Sequence, residues 1–343
     1  MKIDAFPHIL PKRYFDRMMA APSERAKYMQ KRVSAIPVLY DLDERFRVMD
    51  RFPDYVQVLT LASPPVEAIA DGQLGRDLAR LANEEMADLA RRHPDRFLGF
   101  AASLPMSDPD ASVAEAERAI RELGALGVQI FTNVNGLPLD DPRFQPLFSL
   151  MAEVDRPIWV HPARTAAWAD YPTEERSRFE LWWAFGWPYE TAIFMSRLIF
   201  SGHLDRYPGL RILTHHAGGM VPHFAGRIGP GLDQLGARTP DEDFTAVRRA
   251  LRKRPIDYYR MFYGDTALFG APHALECAVR FFGVEHTLFG TDMPFDPEKG
   301  PSFIRDTISD VDGLAISEAD RRKIYEDNAR RVLRLPTLAG AAV

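Results

Sequence analysis

Short runs of apolar, often β-branched residues recur along the chain, separated by longer stretches whose apolar positions return every three or four residues. The short runs predict strands over residues 2–5, 55–61, 97–102, 127–132, 158–161, 211–215, 261–264 and 287–290. The longer stretches predict helices, among them 75–92, 112–123, 144–154, 191–201, 272–282 and 317–333. The first of these stops at His93-Pro94, because a residue that precedes proline disfavours the helical conformation. Strands that alternate with helices make a parallel sheet, and eight such units predict a closed α/β fold, the (β/α)8 barrel. A doubly wound open sheet is the alternative. The barrel is favoured because polar residues gather just past the strand ends in several different units.

Two segments interrupt the alternation. Residues 10–40 follow the first strand and mix Met and aromatic residues with Lys and Arg; residues 162–190 follow the fifth and carry Trp168, Trp182, Trp183 and Trp187. Long loops at this end of a barrel form the walls and lids of sites. The pattern predicts one barrel over residues 1–336 and a frayed tail over 337–343.

Composition narrows the class. Hydrophobic residues make up 46% and charged residues 27% of the 343, enough apolar material for one large core. A net charge of −5 argues against nucleic acid or an anionic membrane as partner. The single cysteine, Cys277, rules out an internal disulfide and fits a reducing compartment. There is no leader-like apolar segment behind Met1, and no stretch of about 18 uncharged apolar residues. A cytoplasmic location is expected.

Candidate chemistry sits where the strands stop. Apolar runs end at His8, at His161 and at the pair His215-His216, and the run 287–290 ends in Thr291-Asp292. Imidazoles and one carboxylate at separate strand ends suffice for a divalent metal site or an acid/base site. Each also has a plain reading: His161 as a satisfied core histidine, Asp292 as the cap of the next turn. A carboxylate on a barrel strand end is costly to bury without such a use. Adjacent residues of a strand point to opposite faces, so at most one of His215 and His216 faces the axis squarely. Arg47, Arg164 and Arg227 are candidate carboxylate binders, since a guanidinium grips a carboxylate through two bonds; as bare residues they read as solvated charges. The tryptophans either pack together or wall an aromatic substrate.

Pro157-Ile158-Trp159-Val160-His161-Pro162, Ile212-Leu213-Thr214-His215-His216-Ala217-Gly218-Gly219 and Phe289-Gly290-Thr291-Asp292-Met293-Pro294-Phe295 follow in that order. With Gly127-Val128-Gln129-Ile130 and residues 135–142, they resemble the amidohydrolase superfamily over nearly the whole chain. The likeness is to its amidohydrolase-2 branch of decarboxylases that work without redox chemistry, such as aminocarboxymuconate-semialdehyde, γ-resorcylate and 5-carboxyvanillate decarboxylases. The resemblance implies His8, His161 and Asp292 as metal ligands for one divalent ion, zinc foremost and manganese second. It implies His216 as the acid/base, and Arg227 as a residue that reaches a neighbouring subunit's site in a homodimer. The branch's opening motif, Asp-x-His-x-His or a version with Glu at the first ligand position, falls on Asp4-Ala5-Phe6-Pro7-His8, so Phe6 stands where the first ligand belongs.

The expected activity is metal-dependent, non-oxidative decarboxylation of a small aromatic or unsaturated carboxylic acid, a carbon–carbon lyase reaction. His216 and Asp292 are its candidate catalytic residues; Arg227, Arg164 and Arg47 its candidate substrate-binding residues. A hydrolase or hydratase on the same metal is the alternative, with Asp292 as base on a bound water. No Lys stands near the ends of strands four to six to bridge two metals, which disfavours a binuclear hydrolase. A catalytically impaired, ligand-binding barrel is the third reading, and Phe6 is its support.

Overall fold

The computed structural model describes residues 1–21 and 23–335; residue 336 and the predicted tail lie outside the described residues. Eight parallel strands form the barrel: β1 (Lys2–Asp4), β2 (Tyr55–Leu61), β3 (Phe97–Ser103), β4 (Gly127–Phe131), β5 (Ile158–His161), β6 (Ile212–Thr214), β7 (Tyr263–Asp265) and β8 (Thr287–Leu288). Each pairs with the next in parallel. The chain after β1 pairs with β2 a second time, His8 and Ile9 lying opposite Thr60 and Leu61. The seam between β8 and β1 is closed by backbone bonds: Ala5 N donates to Phe289 O (2.9 Å), Asp292 N to Phe6 O (3.1 Å) and His8 N to Met293 O (2.8 Å). This is the (β/α)8 barrel that the alternation predicts.

Period-two alternation sorts the strand residues. Ile3, Val56, Val58, Ala101, Trp159, Leu213 and Leu288 form one buried cluster, which fills the lumen. Their neighbours Phe100, Ala102, Ile158, Val160 and Ile212 belong to a second cluster, shared with the surrounding helices. Trp159 bridges the lumen, its indole N–H donating to Ala5 O at 2.8 Å. Gly127 makes room for it: a Cβ there would lie 2.8 Å from the indole and 2.1 Å from Pro157 O. Val332 and Leu333 of the helix Asn328–Leu333 join the same cluster and stop the lower end of the lumen.

The outer layer follows from helical spacing. Helix Gly72–Arg92 buries Leu78, Ala82, Met86 and Leu89 along one stripe. The helix predicted over 317–333 is interrupted by a wider π-type turn, Lys323–Asp327, between Glu318–Arg322 and Asn328–Leu333. β7 begins two residues later than predicted and runs to Asp265, because Tyr263-Gly264-Asp265 reads as a turn when met alone. The insertion after β1 holds helices Lys12–Met19 and Lys27–Ser34; the one after β5 is mostly irregular and ends in the short helix Leu181–Ala184. Among the described residues no helix is long and apolar enough to cross a membrane.

Candidate metal and active site

Counting by twos along the strands leads from the apolar floor to the polar mouth. Two residues beyond Trp159 is His161, two beyond Leu213 is His215, and two beyond Val58 is Thr60. All three are buried; His161 and His215 come together with His8 and Asp292 at the upper ends of the strands, and Thr60 stands behind the His8 ring.

His8 Nε2 lies 3.0 Å from Asp292 Oδ1 and 3.4 Å from His215 Nε2. Its Nδ1 faces Thr60 Oγ1 at 3.2 Å. His161 Nδ1 donates to Pro162 O at 2.7 Å. His215 Nε2 sits 3.2 Å from Asp292 Oδ1, and its Nδ1 is in close contact with Asp265 Oδ2. Asp265 is fully buried, and its other oxygen accepts the backbone N–H groups of Ala217 (3.0 Å) and Ala267 (3.2 Å). Ligand atoms of His8, His161 and His215 lie within 4.8 Å of one another, as do those of His215, His216 and Asp292.

Burial lowers the pKa of His8 and sends that of His161 well below the ordinary imidazole value, so both are neutral, the form that binds a metal. Burial alone would raise Asp292; hydrogen bonds from His215 and His8 and the charge of His215 outweigh it and hold the carboxyl well below its usual range. Burial also opposes charge on His215, yet Asp265 and Asp292 lift it to about 9. His216, desolvated and beside His215, falls to about 4. A carboxylate with three imidazoles at this spacing is a donor set that fits a divalent metal.

Asp292 and His216 both adopt left-handed backbone conformations, φ +61° and +54°, which side-chain-bearing residues seldom take and which cluster at functional sites. The ring of His216 stacks on His215 with centroids 3.8 Å apart, and its Nδ1 faces Ala267 O at 3.0 Å. Phe6 covers the other face of His215, nearly parallel at 16° and 3.9 Å away. Asp4 points elsewhere: it accepts the N–H groups of Phe6 (3.0 Å) and Thr291 (3.2 Å) and the hydroxyl of Thr291 (2.5 Å), and so ties β1 to the end of β8. Burial raises Asp4 to about 6. Arg45, fully buried, donates to Gln57 Oε1 and to His8 O (2.7 Å), which fixes the backbone of His8.

Above His161 opens a cavity of about 700 Å³. Phe131, Pro162, Trp168, Trp182 and Trp187 line it, together with Ser63, Asn133 and Arg164. Phe131 and Trp187 each meet the His161 ring at 5.1 Å, so the aromatic wall runs down to the polar cluster. Arg164 donates to Glu190 Oε1 at 3.1 Å and lies 5.4 Å from the Trp168 ring. Trp183 is 45% exposed and does not line the cavity. Beside the cavity, Glu67 is buried with Oε1 lacking a hydrogen-bond partner among the described residues, and burial pushes it up to about 8.

The structure therefore gathers His8, His161, His216 and Asp292, and sets Arg164 on the cavity wall. It does not bring Arg47 or Arg227 there. Arg47 is solvent-exposed and pairs with Glu44 at 2.5 Å within its own helix, Leu42–Met49. Arg227 is exposed on the helix Ala225–Asp233, outside the cavity lining. The sequence alone set His215 behind His216 and gave no role to Asp265. The signals were present: His215 keeps the parity of Leu213, and Asp265 follows Gly264 at a strand end much as Asp292 follows Gly290-Thr291.

The model of the Amidohydrolase family matches residues 34–335. The chain belongs to that family. A γ-resorcylate decarboxylase from Polaromonas sp. is 33% identical over 310 residues, which cover 85% of this chain and 87% of the relative. A 2,6-dihydroxybenzoate decarboxylase solved with 2,6-dihydroxybenzoate superposes with a TM-score of 0.76 at 29% identity, over 97% of this amidohydrolase and 98% of the other chain. A dihydroxybenzoic acid decarboxylase from Polaromonas sp., solved with manganese and 2-nitroresorcinol, superposes with a TM-score of 0.76 at 28% identity, over 97% of each chain.

Proposed function

We propose that the chain is a carbon–carbon lyase, a metal-dependent non-oxidative decarboxylase of small aromatic carboxylic acids. The observation that carries the reading is the buried cluster of His8, His161, His215 and Asp292 next to an aromatic-walled cavity, two of whose lining rings, Phe131 and Trp187, meet the His161 ring. A flat, hydroxylated aromatic acid suits both parts. Its ring lies against aromatic side chains, and its charged oxygens face the donor cluster.

His8, His161 and Asp292 are positioned to hold a divalent cation, zinc or manganese, which supplies Lewis acidity to the substrate's oxygens. Loss of CO2 leaves an electron pair on the ring carbon, and a proton must reach that carbon. His216 is neutral near pH 7. It therefore accepts a proton first, from the substrate's own hydroxyl, and returns it to the carbon. Arg164 steers a carboxylate across the aromatic wall. Arg227 serves a neighbouring copy's cavity in a homodimer. Relatives acting on resorcylate and dihydroxybenzoate support the aromatic class, and a manganese-bound neighbour supports the divalent ion.

The test is CO2 release by protein loaded with manganese or zinc, across a panel of ortho-hydroxylated benzoic acids and unsaturated carboxylic acids. Release from an ortho-hydroxybenzoate is expected. Fully loaded protein that releases CO2 from none of them overturns the reading.

A further inference from the structure

We propose that His215 supplies the metal ligand that Phe6 cannot, so that the centre is His8, His161, His215 and Asp292, with proton transfer left to His216. The inference rests on the proposed function only for the presence of a divalent cation.

Three observations carry it. First, His8 Nε2, His215 Nε2 and Asp292 Oδ1 form a triangle with edges of 3.4, 3.0 and 3.2 Å. The corners of such a triangle lie roughly 1.9 Å from its centre, so one ion at bond lengths of about 2.0–2.2 Å reaches all three. Second, Nδ1 of each imidazole is engaged by the protein: His8 by Thr60, His161 by Pro162 O, His215 by Asp265. That leaves Nε2 of each as the ligating atom, His215 giving up its Nε2 proton as the cation binds, and a carboxylate behind a ligating histidine is the usual way to fix its ring and tautomer. Third, Phe6 lies flat on His215 at 3.9 Å. The residue that cannot bind metal holds in place the plane of the one that can. Gly290 permits this crowding, since a Cβ there would come within 2.9 Å of Asp265 Cβ and 3.3 Å of Phe6 Cβ.

The proposal assigns different outcomes to neighbouring residues. Zinc or manganese alone is titrated into metal-stripped protein, and bound ion is counted by mass spectrometry. His215→Asn is expected to weaken binding about 100-fold, and Asp265→Asn about 10-fold. His216→Asn retains wild-type affinity and loses CO2 release. Phe6→His gains less than about threefold, because the shell is already complete. Wild-type affinity in His215→Asn, or a large gain in Phe6→His, overturns the proposal. The visible spectrum of the cobalt(II) form covers the case in which His215→Asn does not fold. Asp265→Asn must shift that spectrum if His215 is a ligand, and an unshifted spectrum overturns the assignment. Lost ion binding in His215→Asn, in a protein that decarboxylates none of the acids tested, supports the ligand and overturns the decarboxylase reading alone.

Discussion

The floor and the mouth of the barrel are built from the same strands, one step of two residues apart, and share almost nothing else. Trp159 and Leu213 fill the lumen with apolar bulk. His161 and His215, next in the same inward-facing rows, carry nitrogens into a space that excludes water. The floor needs volume and tolerates no gap. The mouth needs partners, since every buried nitrogen and oxygen there must be matched. What separates a packing position from a chemical one is therefore depth along the strand. The direction in which the side chain points is the same.

The largest expected effect comes from breaking the mouth. Asp292→Asn keeps the shape and removes the charge that His8 and His215 share. CO2 release should fall by about 10³-fold or more, measured as kcat on metal-saturated protein with thermal unfolding little changed. Breaking the floor should do the reverse. Trp159→Ala empties the lumen and should cost about 3–5 kcal/mol in denaturant unfolding. Trp159→Phe, which chiefly strands Ala5 O, should cost about 1–3 kcal/mol. If Trp159→Ala unfolds like the wild type, the lumen is not filled as described.

A smaller effect lies on the wall between the two. Arg164→Ala should raise KM for an aromatic acid by about 10–100-fold and leave kcat nearly intact, as expected for a contact made equally in ground and transition states. An unchanged KM would return Arg164 to its ion pair with Glu190 alone.

The smallest effect contrasts two buried carboxyls. Asp292 has partners and stays ionised; Glu67 leaves one oxygen unmatched and is pushed up to about 8. A carboxyl raised in the folded state contributes stability below its unfolded value of 4.5 and loses it as pH climbs through about 8. Glu67→Gln should therefore flatten the decline in melting temperature between pH 5 and 9, by a few degrees at the alkaline end. Parallel declines in variant and wild type would show that Glu67 is not desolvated.

Most of the barrel could be read from the chain because its central strands are unambiguous. β2 and β5 fall on the predicted residues, each a β-branched run bounded by turn formers. β7 shifted because a glycine and an aspartate at its end look like a turn, and that shift hid Asp265. The pair His215-His216 shows the same limit from another side. The family resemblance pointed to His216, whereas parity from Leu213 points to His215. Only the fold shows that the strand ends at Thr214 and that the next residue still faces inward. The contact of Phe6 with His215 joins residues 209 positions apart, and no local pattern carries it.

The seam has a consequence in time. His8 stands on one side of it and Asp292 on the other, joined by His8 N to Met293 O and Asp292 N to Phe6 O. A growing chain makes His8 first and Asp292 only 284 residues later. Until β8 arrives, β1 has no neighbour on that side, and the cluster lacks its only carboxylate donor. An ion captured there would mark a barrel that has closed, and by bonding to both banks it would keep the first and last strands from parting.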